Sequence, residues 1–175
     1  MYLSGSFGKY PSHLSGALLD IPSGAAGVRV TLRLMRDLVR QYRTDVNLRH
    51  TAASLVQHLP QKDWAGQVRT LHEFVRDGIR YIRDVNGVET VQTPDVTLRV
   101  KYGDCDDKAT LLATMLESIG HPARFVAVGF KEPERYSHVF VETPIGEKWR
   151  TLETTVDVPA GWTPRGIKAR MIQKV

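Results

Sequence analysis

Cys105 is the only cysteine in the chain. It lies in the run Tyr102-Gly103-Asp104-Cys105-Asp106-Asp107-Lys108-Ala109, where a helix is expected to start. The thiolate is the nucleophilic form of cysteine, and a helix N-terminus draws the thiol pKa below its free value of about 8.5. The flanking aspartates oppose this, because each disfavours a second negative charge nearby. A histidine partner is therefore needed, and His138 is the candidate. It opens a strand that the turn Pro144-Ile145-Gly146-Glu147 folds back against Lys148 to Thr155. With the turn centred between Ile145 and Gly146, His138 lies directly opposite Glu153. Paired residues on one face of such a ladder have Cβ atoms about 4.5–5.5 Å apart. A ring in that position takes the thiol proton and passes it to the leaving group, while the acid fixes the tautomer and stabilises the imidazolium. Taken singly, each residue has a plainer reading: a small buried thiol, a packed strand histidine and a surface carboxylate.

The elements that position these side chains follow from periodicity. Asp104 suits an N-cap, with Asp106 and Asp107 in the first turn. Ala109, Leu112, Ala113, Leu116 and Ile119 repeat at helical spacing, and Gly120 and Pro122 supply the stop. Upstream, Val28 to Tyr42 has an apolar stripe (Val28, Leu32, Met35, Val39 and Tyr42) beside an arginine stripe (Arg29, Arg33, Arg36, Arg40 and Arg43). A short helix is expected over Arg49 to Leu59, ended by Pro60. Asp63 caps another, with Trp64, Val68, Leu71, Val75 and Ile79 on its buried face and His72 and Glu73 exposed. His50 and His58 have no ligand cluster around them and read as surface or packing residues. Asn86-Gly87 is a turn signal, and Val88 to Arg99 reads as a loop with extended character, since Pro94 argues against a central strand. After Gly120 the period becomes two: strands over Arg124 to Phe130, Ser137 to Thr143 and Lys148 to Thr155, then a basic alternating tail with Ile167, Ala169 and Met171 as a possible edge strand. Helices followed by an antiparallel sheet give an α+β fold class.

Residues 1–27, rich in Gly, Ser and Pro, read as an N-terminal arm, and residues 28–175 as one domain. Chain length is that of a single domain able to bury a core without disulfides. The formal net charge is +5, modest, and no recognition motif accompanies the arginine stripe, so no nucleic-acid partner is expected. No run approaches the length needed to span a bilayer, and Gly, Ser, Pro and Asp interrupt any signal-peptide core between Leu14 and Gly27. A cytoplasmic, reducing location away from membranes is the expectation.

Three motifs in order carry a family resemblance. Gly103-Asp104-Cys105-Asp106-Asp107-Lys108-Ala109, Ser137-His138-Val139-Phe140-Val141-Glu142 and Trp149-Arg150-Thr151-Leu152-Glu153-Thr154-Thr155 resemble the nucleophile, histidine and acid motifs of the transglutaminase-like superfamily. Ile79-Arg80-Tyr81-Ile82 resembles the aromatic element ahead of the nucleophile helix. The likeness runs from about Trp64 to Trp162 and is nearest to small bacterial and phage or prophage members. It implies a papain-like α+β core with Cys105, His138 and Glu153 as the triad. The family usually has Asp, often before Pro, where Glu153-Thr154 stands here, so the acid is one methylene longer. The implied activity is cysteine-dependent hydrolysis of a peptide or side-chain amide through a thioester, with no cofactor and a peptide or protein substrate. Acyl transfer to an amine, or a non-catalytic bacterial or phage interaction module using the arginine stripe or the arm, are the alternatives. An oxyanion hole would combine the Cys105 N–H with Gln92, preferred, or Tyr102. A metal centre built from Cys105, His138 and a carboxylate is the least favoured reading, because the acid is better used on the histidine.

Overall fold

The computed structural model describes residues 22–83 and 90–175. Most of the expected arm and the Asn86-Gly87 turn lie outside them. Helix α1 spans Gly24–Tyr42, starting four residues before the expected Val28. Helix α2 spans Val46–Val56 and starts at Asp45, whose side chain accepts from the Asn47 and Leu48 amides at 3.0 and 2.9 Å. It thus begins and ends three residues earlier than Arg49 to Leu59, because the capping acid sets the start. Helix α3 is Trp64–Gly78, capped by Asp63 as expected.

Strand β1 (Arg80–Tyr81) follows and pairs in parallel with β2 (Tyr102–Gly103). Between them the expected extended loop is instead partly helical, as α4, Pro94–Val100. Pro94 occupies its first turn, where the missing N–H costs nothing, so the residue that excludes a strand here starts a helix. Lys101 then takes a left-handed conformation (φ 63°) that turns the chain into β2.

Helix α5, Cys105–Ser118, is the axis of the domain. Residues 107–116 are all buried, so the helix is enclosed on every side by α1, α2, α3, α4 and the sheet. Its Thr110 and Thr114 hydroxyls donate back to the carbonyls of Asp106 and Thr110 at 2.7 and 2.8 Å, which lets polar residues sit at that depth. Strands β3 (Arg124–Gly129), β4 (His138–Ile145), β5 (Lys148–Leu152) and β6 (Ala169–Lys174) form an antiparallel sheet in the order β5-β4-β3-β6. The basic tail is therefore an edge strand, as expected. Phe125, Ala127, Val139, Val141 and Leu152 join the helices in the main core. Val126, Val128 and Phe140 alternate with them, pack on the opposite face and are covered by Phe130 and Ile167. Among the described residues no helix is long and apolar enough to cross a membrane.

Because α5 carries Cys105 and is packed all round, loosening it should cost the whole domain. Leu112 is fully buried. Leu112→Ala is expected to lower the unfolding free energy by about 2–5 kcal/mol, read by urea denaturation.

Candidate active site

The start of α5 is built from acids. Asp104 Oδ1 accepts from the Asp106 and Asp107 amides at 2.9 and 3.2 Å, and Asp107 Oδ2 accepts from the Asp104 amide at 3.2 Å, a reciprocal capping box. Asp107 is buried and also accepts from the backbone and side-chain amides of Gln92, at 2.7 and 2.9 Å. It thus ties the segment before α4 to the first turn of α5. Gly103 is needed beside it, since a Cβ there would lie 2.6 Å from the Asp107 Cβ.

The cap leaves Cys105 as the first residue of the helix, half-buried, its thiol donating to Asp106 Oδ1 at 3.5 Å. Burial pushes the thiol pKa far above its ordinary value, and the charges of Asp106 and Asp104 push it further, while the Val139 amide pulls the other way. Together they favour the neutral thiol over the thiolate, against the pull of the helix end. Val139 immediately follows His138, so this contact brings the sulfur to the start of β4.

The hairpin differs from the expected register. The ladder pairs Leu152 with Val141, where the expected alignment gives Val139. The Gly146-Glu147 turn is tighter than the assumed four-residue one, with Ile145 paired to Lys148 and Gly146 at φ +64°. A shift of two keeps every side chain on its face. Glu153, one residue beyond the end of β5, is thus diagonal to His138 rather than directly opposite. Its longer side chain still closes the gap: His138 Nε2 to Glu153 Oε2 is 2.5 Å. Thr155 donates its amide and hydroxyl to the other carboxylate oxygen at 2.8 and 2.7 Å. Burial alone would raise the Glu153 pKa, yet the bonds from His138 and Thr155 more than offset it and hold the carboxylate below its usual range.

Two buried groups at the site escape the sequence reading. His72, expected at the surface, is fully buried, and its Nε2 is 2.6 Å from the Glu153 carbonyl. The available signal was its position four residues after Val68 and three before Val75, on the edge of the apolar stripe. Trp64 errs the other way, at 56% exposed, because it stands in the first turn at the surface end of α3. Lys108 is 2% exposed and donates to the carbonyls of Ile79 and Arg76 at 2.5 and 3.1 Å, closing the C-terminal end of α3. Burial lowers its pKa to about 8.

Gln92 lies with its amide engaged by Asp107, and Tyr102 lies in β2, 45% exposed. The described group whose atoms come close enough to share an ion is Asp104, Cys105 and Asp106, within 4.8 Å of one another. His138 is outside it, so among the described residues the metal centre of Cys105, His138 and a carboxylate does not assemble.

Asp106→Asn removes a like charge beside the sulfur and leaves the thiol only a neutral amide oxygen as acceptor. It should move the pH profile of Cys105 alkylation by iodoacetamide to lower pH, measured by mass spectrometry. Burial also lowers the pKa of His72 and of His121. Unfolded histidines bind protons below about pH 6.5, whereas these folded rings resist them, so stability must fall as pH drops through that value. A lower urea midpoint at pH 5.5 than at pH 7.5 is the expected result.

The comparisons with known proteins agree with this architecture. A candidate protease from Parabacteroides distasonis superposes with a TM-score of 0.59 at 19% identity, over 79% of this chain and 27% of its own. A candidate cysteine protease from Cytophaga hutchinsonii gives 0.53 at 19% identity, over 75% and 47%. LapG of Legionella pneumophila in its calcium-bound form gives 0.54 at 18% identity, over 78% and 80%. The chain therefore spans well under two thirds of the first two proteins, and at these identities the likeness is one of fold. No curated protein matches the chain in sequence. The model of the transglutaminase-like superfamily matches residues 49–154, a stretch that holds α5, the hairpin, and Cys105, His138 and Glu153. With more than half of its length so matched and the expected mixed fold around that stretch, this chain belongs to the transglutaminase-like superfamily.

Proposed function

We propose that this protein is a cysteine hydrolase that cleaves a peptide or side-chain amide bond through a thioester on Cys105. The reading is carried by the bond between His138 Nε2 and Glu153 Oε2, made at the start of the strand whose next amide, that of Val139, faces the Cys105 sulfur. With Nε2 on the carboxylate, Nδ1 is the ring nitrogen that takes the thiol proton. The thiol is neutral at rest, so the proton passes to His138 as sulfur attacks the carbonyl carbon. Glu153 stabilises the imidazolium, and the oxyanion is received by the Cys105 amide together with the second N–H of the Gln92 side chain, the first being held by Asp107. Collapse of the intermediate breaks the C–N bond, and the amine leaves with the His138 proton. Water then adds to the thioester with His138 as base, releasing the acid and restoring the thiol. Every step uses groups of this chain and no cofactor. A reducing, cytoplasmic setting suits a single free thiol in this role.

An activated ester tests the chemistry without a known substrate. Treated with p-nitrophenyl acetate, the native protein should release p-nitrophenolate in a burst and gain one acetyl group on Cys105 by mass spectrometry. His138→Ala should slow this about a hundredfold or more, and Cys105→Ala should abolish it. Equal acylation by the native protein and His138→Ala would defeat the proposal and favour a non-catalytic module. Adding a primary amine separates the two fates of the thioester. Hydrolysis predicts little change in deacylation, and acyl transfer predicts an amide product.

A further inference from the structure

His72 is a histidine in a place where an aliphatic residue would pack as well. It lies on α3 between Leu71 and Val75 of the main core and is fully buried. Its Nε2 meets the backbone carbonyl of Glu153, 81 positions away in sequence, at 2.6 Å. A carbonyl can only accept, so Nε2 carries the proton. Nδ1 is buried and has no hydrogen-bond partner. The ring's whole polar function is therefore the one donation to Glu153.

That carbonyl needs a partner. β5 ends at Leu152, and Glu153 lies just beyond the last ladder pair, Leu152 with Val141. A buried carbonyl without a donor is costly. The side chain of the same residue reaches diagonally to His138 rather than straight across. A diagonal reach depends on where the backbone at 153 is held, more than a directly opposed pair would.

We propose that His72 is a positioning residue: its Nε2–H pins the Glu153 main chain so that the Glu153 carboxylate meets His138. Glu153 is then fixed at both ends, by His72 at the carbonyl and by Thr155 and His138 at the carboxylate. The inference rests on the reading of Cys105, His138 and Glu153 as a working set. It adds that the orientation of the acid is set from α3, across the core, and not by the hairpin alone.

His72→Phe keeps a flat ring without the donor, and His72→Gln places an amide N–H near the position of Nε2. In the p-nitrophenyl acetate assay, His72→Phe should acylate about ten- to a hundredfold more slowly than the native protein, with a cooperative thermal transition retained. His72→Gln should recover most of the rate. Native rates in a folded His72→Phe would overturn the inference, and so would equally slow acylation in both variants, since the ring and not its donor would then be what matters. Histidine 15N NMR of the native protein decides the case even if His72→Phe does not fold. A neutral His72 protonated at Nε2 is the expected state, and a ring protonated at Nδ1 refutes the inference. If His138→Ala acylates normally, the reading of the site fails. If only His72→Phe is without effect, the reading stands and the role of His72 falls.

Discussion

A carboxylate with 2% of its surface exposed needs donors for its lone pairs, because an unmatched charge at that depth costs several kcal/mol. The Glu153 carboxylate obtains them from two directions, and its main chain is held from a third. His138 comes from β4, Thr155 from the chain just beyond, and His72 holds the main chain from α3. These requirements can be met together only when the helical layer and the sheet are in their final relation. The geometry at Glu153 is thus a product of the whole core rather than of one hairpin. This is why its extra methylene, compared with the aspartate usual in the family, is no obstacle: the longer arm suits a partner that lies on the diagonal.

The same dependence governs Cys105. A nucleophile at the end of an exposed helix would have its position set by a mobile surface. Here the helix behind it is buried from its first turn to its last, so the packing of Leu111, Leu112, Met115 and Leu116 fixes where its N-terminus points. The capping box fixes the last few ångströms. Asp107 does double duty, closing the cap and holding Gln92. Lys108 reaches the opposite way to close the end of α3. Consecutive residues of one motif therefore bind the helix start to two other parts of the chain. A motif rich in charge serves here as structural fastening as much as chemistry.

How much of this was legible in the sequence depended on the range of the interaction. The cap at Asp104, the stripe of α5, the strands and the edge position of the tail are local or periodic features and were readable, except that the third expected strand, β5, stops at Leu152 rather than Thr155. The pairing of His138 with Glu153 was readable in kind but not in detail. Turn length had to be assumed, and the true ladder is displaced by two, a shift that preserves the face and so spares the conclusion. α4 was missed because Pro94 excludes a strand and permits a helix start with equal force. His72 was missed for a different reason. Its donation spans 81 positions, and its place on the edge of the apolar stripe, the one local signal, could not reveal so distant an acceptor. The arginine stripe has the converse outcome: Arg29, Arg33, Arg40 and Arg43 are exposed, as an amphipathic helix requires.

The acids around the sulfur bear on how the chemistry can run. If Cys105 had to ionise before reacting, a negative sulfur would form in a half-buried site beside Asp106 and Asp104. Burial and both charges oppose that state. A path in which His138 removes the proton during attack never builds the full sulfur charge, because the developing negative charge passes to the substrate oxygen. In the proposed mechanism that oxygen is received by the Cys105 amide at the helix start. The positive charge that appears at the same moment falls on His138, whose carboxylate is already in place. The environment thus penalises a resting thiolate and, on the proposed mechanism, suits a charge separation that ends on His138. On the proposed mechanism, the aspartates beside Cys105 are compatible with catalysis because Glu153 stands behind His138.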